Sequence, residues 1–264
     1  MPELPEVEVT RRALSPLVEG RRILDLVHAD PARYRDTERA VGRRILGLFR
    51  RGKFLLFRLS GGWLLVVHLG MSGGFRLQRT PHTRVVFRLE GQELYFHDPR
   101  RFGKFWAVPE AERCRVPLLC RLGPEPWDPA FTAEYLRQRL RSSRRPVKAI
   151  LMDQAVVAGL GNIYADEALF LAGVRPTRRG TRVTRAEAAR IRKAIPRVLE
   201  AAIEDGGTTL KDQSYRQVDE AIGYFRLRLS VYGRTGEPCP RCGTPIRRMV
   251  IQGRSAHFCP RCQR

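Results

Sequence analysis

The chain has 264 residues, 43% of them hydrophobic, which is enough for one large domain or two medium ones with a real core. Its formal net charge is +22 and its pI is about 11.0, an excess that implies a polyanionic partner, above all nucleic acid. No apolar run approaches the ~20 residues of a membrane span. The first twenty residues mix Glu and Arg instead of forming the apolar segment of a signal peptide. We therefore expect a cytoplasmic protein that does not enter a membrane.

Arginine makes up almost all of the positive charge. The chain has 49 Lys and Arg, of which five are Lys and 44 are Arg, against 27 acidic residues. A GC-rich genome alone would favour Arg over Lys, but it would not produce the excess over acids. The charge therefore favours nucleic-acid binding, with compositional bias as the alternative.

The N-terminus offers a candidate nucleophile. It reads Met1-Pro-Glu-Leu-Pro-Glu-Val-Glu8, and removal of Met1 would expose the secondary amine of Pro2. An α-amine has a pKa of about 8, so a useful fraction is unprotonated at neutral pH. Such an amine can attack an electrophilic sugar carbon and hold it as a Schiff base, with Glu3 supplying or removing the proton. The alternative is an ordinary helix start, because Pro and acids are both favoured in a first turn.

The first half of the chain predicts one helix followed by a β domain. Apolar residues recur at helical spacing over residues 4–19 and stop at Gly20. Short strands follow from about residue 22 to 108, and two pairs of them, around Gly61 and Gly91, are separated by short Gly-containing turns typical of hairpins. Short strands with tight turns and no helices between them favour a β-sandwich or a barrel.

The proline-rich stretch Leu122-Gly-Pro-Glu-Pro-Trp-Asp-Pro129 predicts a domain boundary. Beyond it the periodicity is helical, and helices are expected at Glu134 to Arg141, at Val147 to Val157, after Asn162, and from the capping box at Thr184. The tail from about residue 230 is a separate small unit. We therefore divide the chain into segments 1–123, 124–229 and 230–264.

Four cysteines near the C-terminus predict a metal site. Cys239-Pro-Arg-Cys242 and Cys259-Pro-Arg-Cys262 are separated by sixteen residues, a spacing typical of a closed four-thiolate zinc site, so one structural Zn²⁺ is expected. Gly253 between the pairs predicts a hairpin turn with Arg254 at its tip, where a phosphate or base contact is plausible. Cys114 and Cys120 stand apart and are expected to be buried small hydrophobic residues.

Two Gly-containing segments predict contacts with nucleic acid. Gly159-Leu-Gly-Asn162 has the look of a dinucleotide fingerprint, but no βαβ unit surrounds it. We interpret it as a turn in which Asn162 caps the next helix and directs backbone N–H groups at a phosphate. His97-Asp-Pro-Arg-Arg-Phe-Gly103 places Arg100 and Phe102 in a turn, and an inserted side chain with an Arg can hold open a duplex after a base has left the stack.

Met71 and Lys53 are two further candidates. Met71 is a second possible wedge, although core packing is the alternative for Met71 or Phe102 taken singly. Lys53, at the head of a strand, can be tuned to donate or accept a proton, as Arg cannot.

Together these segments resemble the bacterial formamidopyrimidine-DNA glycosylases, also called 8-oxoguanine DNA glycosylases. The resemblance runs end to end and rests on motifs in this order: Pro2 to Glu8, Arg51-Gly-Lys53, His68-Leu-Gly-Met71, His97 to Gly103, Gly159 to Glu167, and the terminal cysteines. It implies an α+β multidomain fold. An N-terminal β-sandwich with a flanking helix would be followed by a helical helix–two-turn–helix domain with a zinc-finger β-hairpin.

The resemblance also implies roles. Pro2 would attack C1′ of an oxidised purine nucleoside in double-stranded DNA, with Glu3 as proton donor, Lys53 assisting base release and β-elimination, and Arg254 serving δ-elimination and phosphate binding. Met71, Arg100 and Phe102 would fill the gap left by the flipped nucleotide, and Glu6 would lie in the lesion pocket. The residues that match backbone-phosphate contacts are His68, His82, Lys148, Asn162 and Tyr232. Residues 211–227 would cap the everted base. A monomer associated with the nucleoid is expected.

The sequence departs from the family pattern at Ala256 and Val9, where Thr is common, and in the loop Asp212 to Ile222, which is not Gly-rich. The loop leaves the preference among oxidised purines open.

Two alternative functions remain. One is a sister enzyme of the endonuclease VIII type, acting on oxidised pyrimidines with the same Pro2 chemistry. The other is a zinc-finger DNA-binding protein without catalysis.

Overall fold

The computed structural model describes residues 2–209 and 215–264. These residues form two compact units, the first within Met1–Arg121 and Ile203–Arg226, the second within Leu122–Ala202 and Leu227–Arg264. The first break falls at the predicted proline-rich stretch. The return of Ile203–Arg226 to the first unit was not anticipated from the sequence, and the three-segment division stays a prediction. Among the described residues, no helix has the length and apolar character needed to cross a membrane.

The first unit is one helix and two β-sheets. Its helix is α1 (Leu4–Val18). Its strands are β1 (Ile23–Val27), β2 (Tyr34–Arg35), β3 (Ile45–Arg51), β4 (Phe54–Leu59), β5 (Trp63–His68), β6 (Gly74–Arg76), β7 (Thr83–Leu89), β8 (Gln92–His97) and β9 (Lys104–Pro109). The sheets have the orders β1-β7-β8-β6 and β2-β9-β5-β4-β3, antiparallel except for the β2–β9 pair.

Aromatic side chains from both sheets meet in the core of this unit. The ring of Phe75 on β6 lies 5.3 Å from that of Phe87 on β7, and Phe96 on β8 lies 4.9 Å from Phe105 on β9. Phe57 on β4 completes the group, and all five are at most 1% exposed. Because β4 and β9 belong to one sheet and β6, β7 and β8 to the other, the unit is a sandwich and not a barrel. Both predicted hairpins are present, closed by the pairs Leu59↔Trp63 and Leu89↔Gln92.

The second unit contains helices and one hairpin. Its helices are α2 (Ala133–Arg141), α3 (Val147–Leu151), α4 (Asn162–Ala172) and most of α5 (Arg185–Glu204), and its strands are β10 (Arg247–Ile251) and β11 (Arg254–Phe258). The two units also contain short 3₁₀ helices, at Thr37–Ala40, Glu110–Arg115, Leu119–Arg121, Gly180–Arg182 and Phe225–Arg228. The capping box at the start of α5 is confirmed, since the Glu187 carboxylate accepts from Thr184 N at 2.8 Å and Glu187 N donates to the Thr184 hydroxyl.

Three sequence predictions about local structure are wrong. The helix expected from Val147 to Val157 ends at Leu151, because the Gln154 side chain donates to two carbonyls and accepts from Gly159 N, which holds residues 152–160 as a loop. Asn162 does not cap α4: Gly161 is the capping residue and Asn162 is the first helical residue. Cys114 and Cys120 are exposed and joined in a disulfide, not buried as free thiols.

Candidate active site and nucleic-acid interface

The N-terminal candidates lie at the start of α1. Pro2 is buried, and Glu3, 1% exposed, is the residue that caps the helix. The Glu3 carboxylate accepts from Glu6 N, while the Glu6 carboxylate accepts from Glu3 N at 2.8 Å. This reciprocal pair is a capping box in which Glu replaces the usual Ser or Thr. The helix start is therefore confirmed, and its capping bonds fix the backbone next to Pro2.

Glu6 also holds the returning segment Ile203–Arg226. Its second carboxylate oxygen accepts from Thr208 N at 2.8 Å, and its own exposed fraction is 1%. On the far side of residues 210–214, Arg76 donates to the carbonyls of Arg216 and Gln217 at 3.2 and 3.3 Å. Two buried charged side chains therefore fix the chain before and after that stretch. The predicted lesion loop 211–227 begins in residues 211–214, which lie outside the described residues.

Lys53 and His68 meet at one end of the five-stranded sheet. Lys53 lies in the two-residue turn between β3 and β4, next to Phe54, which pairs with His68 on β5. His68 also pairs with Lys104 on β9. Burial, and secondarily the positive charges of Lys53 and Lys104, lower the pKa of His68 to about 4. Lys104 could not be predicted from the sequence, because only the register of β5 and β9 brings it beside His68.

The tautomer of His68 follows from its neighbours. Its Nδ1 accepts a hydrogen bond from Gly70 N at 3.1 Å, so the neutral ring carries its proton on Nε2. His68 is therefore a neutral hydrogen-bond donor at physiological pH, suited to a phosphate oxygen.

The predicted wedge residues are brought together by two linked loops. The Ser72 hydroxyl donates to one Asp98 oxygen at 2.8 Å, and Gly103 N donates to the other at 2.7 Å. Gly70 has φ +73°, and a Cβ there would lie 2.5 Å from the Phe102 carbonyl carbon, so glycine is required where the loops touch. Asp98, buried completely, links the two loops, a part that the sequence did not predict for it.

These loops present the side chains expected to enter DNA. Phe102 is 48% exposed and does not pack in the core, Arg100 is exposed, and Met71 is half-buried. The Arg100 guanidinium carbon lies 5.4 Å from the centre of the Phe102 ring. His82 is also exposed in this unit, with its ring 5.6 Å from that of His97. An exposed ring beside an arginine suits insertion into a base stack.

The four C-terminal cysteines fit a zinc ion. Their sulfur atoms all lie within 4.8 Å of one another. The Cys239–Cys262, Cys242–Cys259 and Cys242–Cys262 sulfur separations are 3.9, 3.5 and 3.4 Å. A tetrahedron with Zn–S bonds of ~2.3 Å has edges of about 3.8 Å. The backbone N–H groups of Arg241 and Cys262 donate to sulfur at 3.4 Å, which suits thiolates. The predicted single structural Zn²⁺ is confirmed by this geometry and by the family match below.

Arg254 lies where the sequence placed it. Gly253, with φ +75°, and Gln252 form the turn between β10 and β11, whose closing pair is Ile251↔Arg254. Arg254 is exposed. The zinc-bound unit therefore presents an arginine at the end of a two-stranded hairpin.

Lys148, Asn162 and Tyr232 lie around buried carboxylates of α4. Lys148 is completely buried, with its ammonium 2.7 Å from Asp166, so its side chain is not presented to solvent. Asn162 donates to the Ser255 hydroxyl at 3.4 Å.

Tyr232 N donates to Glu167, whose two carboxylate oxygens also accept from Ser230 and Val231. Burial raises the pKa of the Glu167 carboxyl, although these N–H groups oppose the shift. Asp166 and Glu167 received no role from the sequence.

Sequence models of three families match successive parts of the chain. They are the formamidopyrimidine-DNA glycosylase N-terminal domain at residues 1–105, the formamidopyrimidine-DNA glycosylase H2TH domain at 122–214, and the zinc finger found in FPG and IleRS at 236–264. The predicted α+β architecture of a β-sandwich, a helix–two-turn–helix region and a zinc-finger hairpin is confirmed.

Relatives and solved structures match over nearly the whole chain. The formamidopyrimidine-DNA glycosylase of Thermus thermophilus is 57% identical over 95% of this chain and 94% of its own, and that of Deinococcus radiodurans is 49% identical over 95% and 93%. The crystal structure of the T. thermophilus protein has a TM-score of 0.96 at 57% identity, covering 99% of this chain and 98% of that one. A Lactococcus lactis Fpg complex with abasic-site DNA has a TM-score of 0.91 at 32% identity, covering 99% of each. The chain therefore belongs to the formamidopyrimidine-DNA glycosylase family.

Proposed function

We propose that this protein is a bifunctional base-excision repair enzyme for duplex DNA. It removes oxidised purines such as 8-oxoguanine and formamidopyrimidines, and then cleaves the strand at the abasic site by β,δ-elimination. Relatives have been solved with DNA containing Fapy-dG, an abasic site or carbocyclic 8-oxo-G. The observation that carries the proposal is the position of Pro2, directly before the buried Glu3 at a helix start that Glu6 holds rigidly.

The chemistry starts once Met1 is removed and the Pro2 nitrogen is free. That nitrogen bonds to C1′ as the bond from C1′ to the base breaks, and the base leaves with a proton. Glu3 donates the proton that opens the sugar ring, which leaves a cationic Schiff base. Loss of a C2′ proton then expels the 3′-phosphate, and loss of a C4′ proton expels the 5′-phosphate. Lys53 assists base release and the first elimination, and Arg254 assists the second.

The DNA contacts follow from the exposed and hydrogen-bonding groups of the two units. His68, His82, Asn162 and Tyr232 bind backbone phosphates. Met71, Arg100 and Phe102 fill the gap left by the everted nucleotide, with Arg100 facing the orphan cytosine. Lys148 is the remaining member of the predicted phosphate-contact set, and its ammonium is paired with Asp166 within the second unit. Glu6 and the segment 211–227 shape the lesion pocket. The enzyme acts as a monomer in the cytoplasm, on the nucleoid.

Borohydride trapping on defined duplexes tests the proposal. The protein is incubated with a duplex containing 8-oxoguanine in the presence of borohydride, which reduces a Schiff base to a stable adduct. A covalent adduct is expected with the unchanged protein, and Pro2→Gly should weaken or abolish it while duplex binding largely remains. Mass spectrometry of the active protein should show Met1 absent. Full activity with Met1 retained would contradict the nucleophile.

The same experiment separates the two alternatives. An enzyme of the endonuclease VIII type would prefer a duplex containing thymine glycol over one containing 8-oxoguanine. A DNA-binding protein without catalysis would bind both duplexes and form no adduct with either.

A further inference from the structure

A buried charged cluster joins two helices of the second unit to the strand that carries Arg254. The Asp166 carboxylate on α4 lies 2.7 Å from the Lys148 ammonium on α3, and it accepts from His257 N on β11 at 2.8 Å. Lys148 in turn donates to the Ser255 carbonyl on the same strand. Asp166 and Lys148 are both completely buried, and His257 is 5% exposed. The Asp166 carboxylate therefore fixes β11 at two points, directly at His257 and through Lys148 at Ser255.

The cluster is adjacent to two proposed DNA contacts. Ser255 directly follows Arg254, and the Lys148 bond to the Ser255 carbonyl fixes the peptide between Ser255 and Ala256, one residue beyond Arg254. Asn162 lies one helical turn before Asp166 on α4, and its amide reaches the Ser255 hydroxyl. Successive side chains of a strand point to opposite faces, so Ser255 and His257 share the face towards α4. Arg254 lies on the other face and is exposed.

Stability alone gives a poor reason for such a cluster. Burying a carboxylate and an ammonium costs several kcal/mol per ion in desolvation, and apolar residues of similar volume are often as stable or more so. Buried ion pairs are best attested where they select one arrangement of packed elements. Here the arrangement selected is the position of the hairpin on α3 and α4.

We propose that Asp166 is a positioning residue for the reaction. By holding β11 directly and through Lys148, it sets where Arg254 stands relative to Asn162, and so how the second elimination and the adjacent phosphate contact proceed. This inference rests on the proposed function, because the role of Arg254 is part of it.

The product ratio of strand cleavage tests this role. Single-turnover cleavage of an abasic duplex gives β- and δ-elimination products that separate by electrophoresis. In Asp166→Asn the ratio of δ to β product should fall by about tenfold, because a shift of about 1 Å in a catalytic group is enough for such a loss. The rate of Schiff-base trapping per active molecule should be unchanged. A merely unstable protein would lose both products equally and keep the ratio.

Two further variants separate position from stability. In Lys148→Met/Asp166→Asn no buried charge is left unpaired, so its thermal stability should exceed that of Asp166→Asn. Its product ratio should stay low, because the Ser255 carbonyl has lost its donor. Glu134→Gln removes the exposed ion pair with Arg137 in the same unit and should keep the normal ratio. A normal ratio in the double variant, or in folded Asp166→Asn, would overturn the role.

DNA binding gives a readout that does not need catalysis. The salt dependence of duplex binding should become shallower by about 0.9 in log–log slope in Asp166→Asn, because one phosphate contact is lost. If the unchanged protein forms no adduct and cleaves nothing, the proposed function fails, and the slope alone decides whether Asp166 positions Arg254. An unchanged slope would then overturn the inference.

Discussion

At the residue scale, His68 shows how much of a site depends on strand register. The sequence identified it as a phosphate contact through the family resemblance, but its depressed pKa follows from burial and from neighbours on other strands. Phe54 and Lys104 face it across two strand pairs, and Lys53 lies next to Phe54. The Gly70 N–H fixes the proton on Nε2. The residue type could be predicted, whereas its neutral, donating form could not.

The depressed pKa of His68 predicts a pH-dependent stability. The pKa is about 4 in the folded protein, against 6.5 in the unfolded chain, so protons bind the unfolded state more readily between these values. The stability that neutral His68 contributes is fully present above pH 6.5. It is lost as the pH falls from 6.5 to about 4, which lowers the free energy of unfolding by up to about 3 kcal/mol. Measured by denaturant unfolding, the free energy of unfolding of His68→Gln should therefore fall less between pH 7 and pH 4 than that of the unchanged protein. His82→Gln, at an exposed position, should behave like the unchanged protein; parallel curves for all three would contradict the assignment.

At the element scale, local patterns predicted the elements whose determinants are local. The two hairpins of the sandwich, the capping box at Thr184 and the turn before Arg254 were all found as expected, because turn residues and short-range hydrogen bonds determine them. The end of α3 at Leu151 was missed because a single Gln154 side chain holds the loop that follows. The Cys114–Cys120 disulfide was missed because cytosolic context argued against it.

The zinc finger predicts a local response to metal removal. Its small core contains Phe170, Val231 and Ile246 beside the cysteines, so the thiolate–zinc bonds supply much of its folding free energy. After chelation, the amides of β10 and β11 should lose protection from hydrogen exchange, while those of β4 and β5 in the other unit keep theirs. Cys114→Ser/Cys120→Ser should retain zinc and full protection. Unchanged protection of β11 in zinc-free protein would show that the hairpin folds without the metal.

At the scale of the whole molecule, composition predicted the partner and the motifs predicted the chemistry. The net charge of +22 indicated a polyanion before any motif was considered. Neither source predicted that Ile203–Arg226 would return to the first unit, where Glu6 and Arg76 hold it. That return depends on hydrogen bonds between residues more than a hundred positions apart, and no periodicity or turn signal encodes it.

The charges of the proposed contacts predict how DNA binding responds to salt. An arginine that neutralises a phosphate releases a counterion, so Arg254→Ala should lower the log–log slope of affinity against salt by about 0.9. His68 is neutral because its pKa is about 4, so His68→Gln should weaken binding at every salt concentration and leave the slope unchanged. Fluorescence anisotropy with one undamaged duplex at several salt concentrations measures both quantities. A shallower slope in His68→Gln would mean that the ring binds DNA as a cation, and that the phosphate overcomes the effect of Lys53 and Lys104.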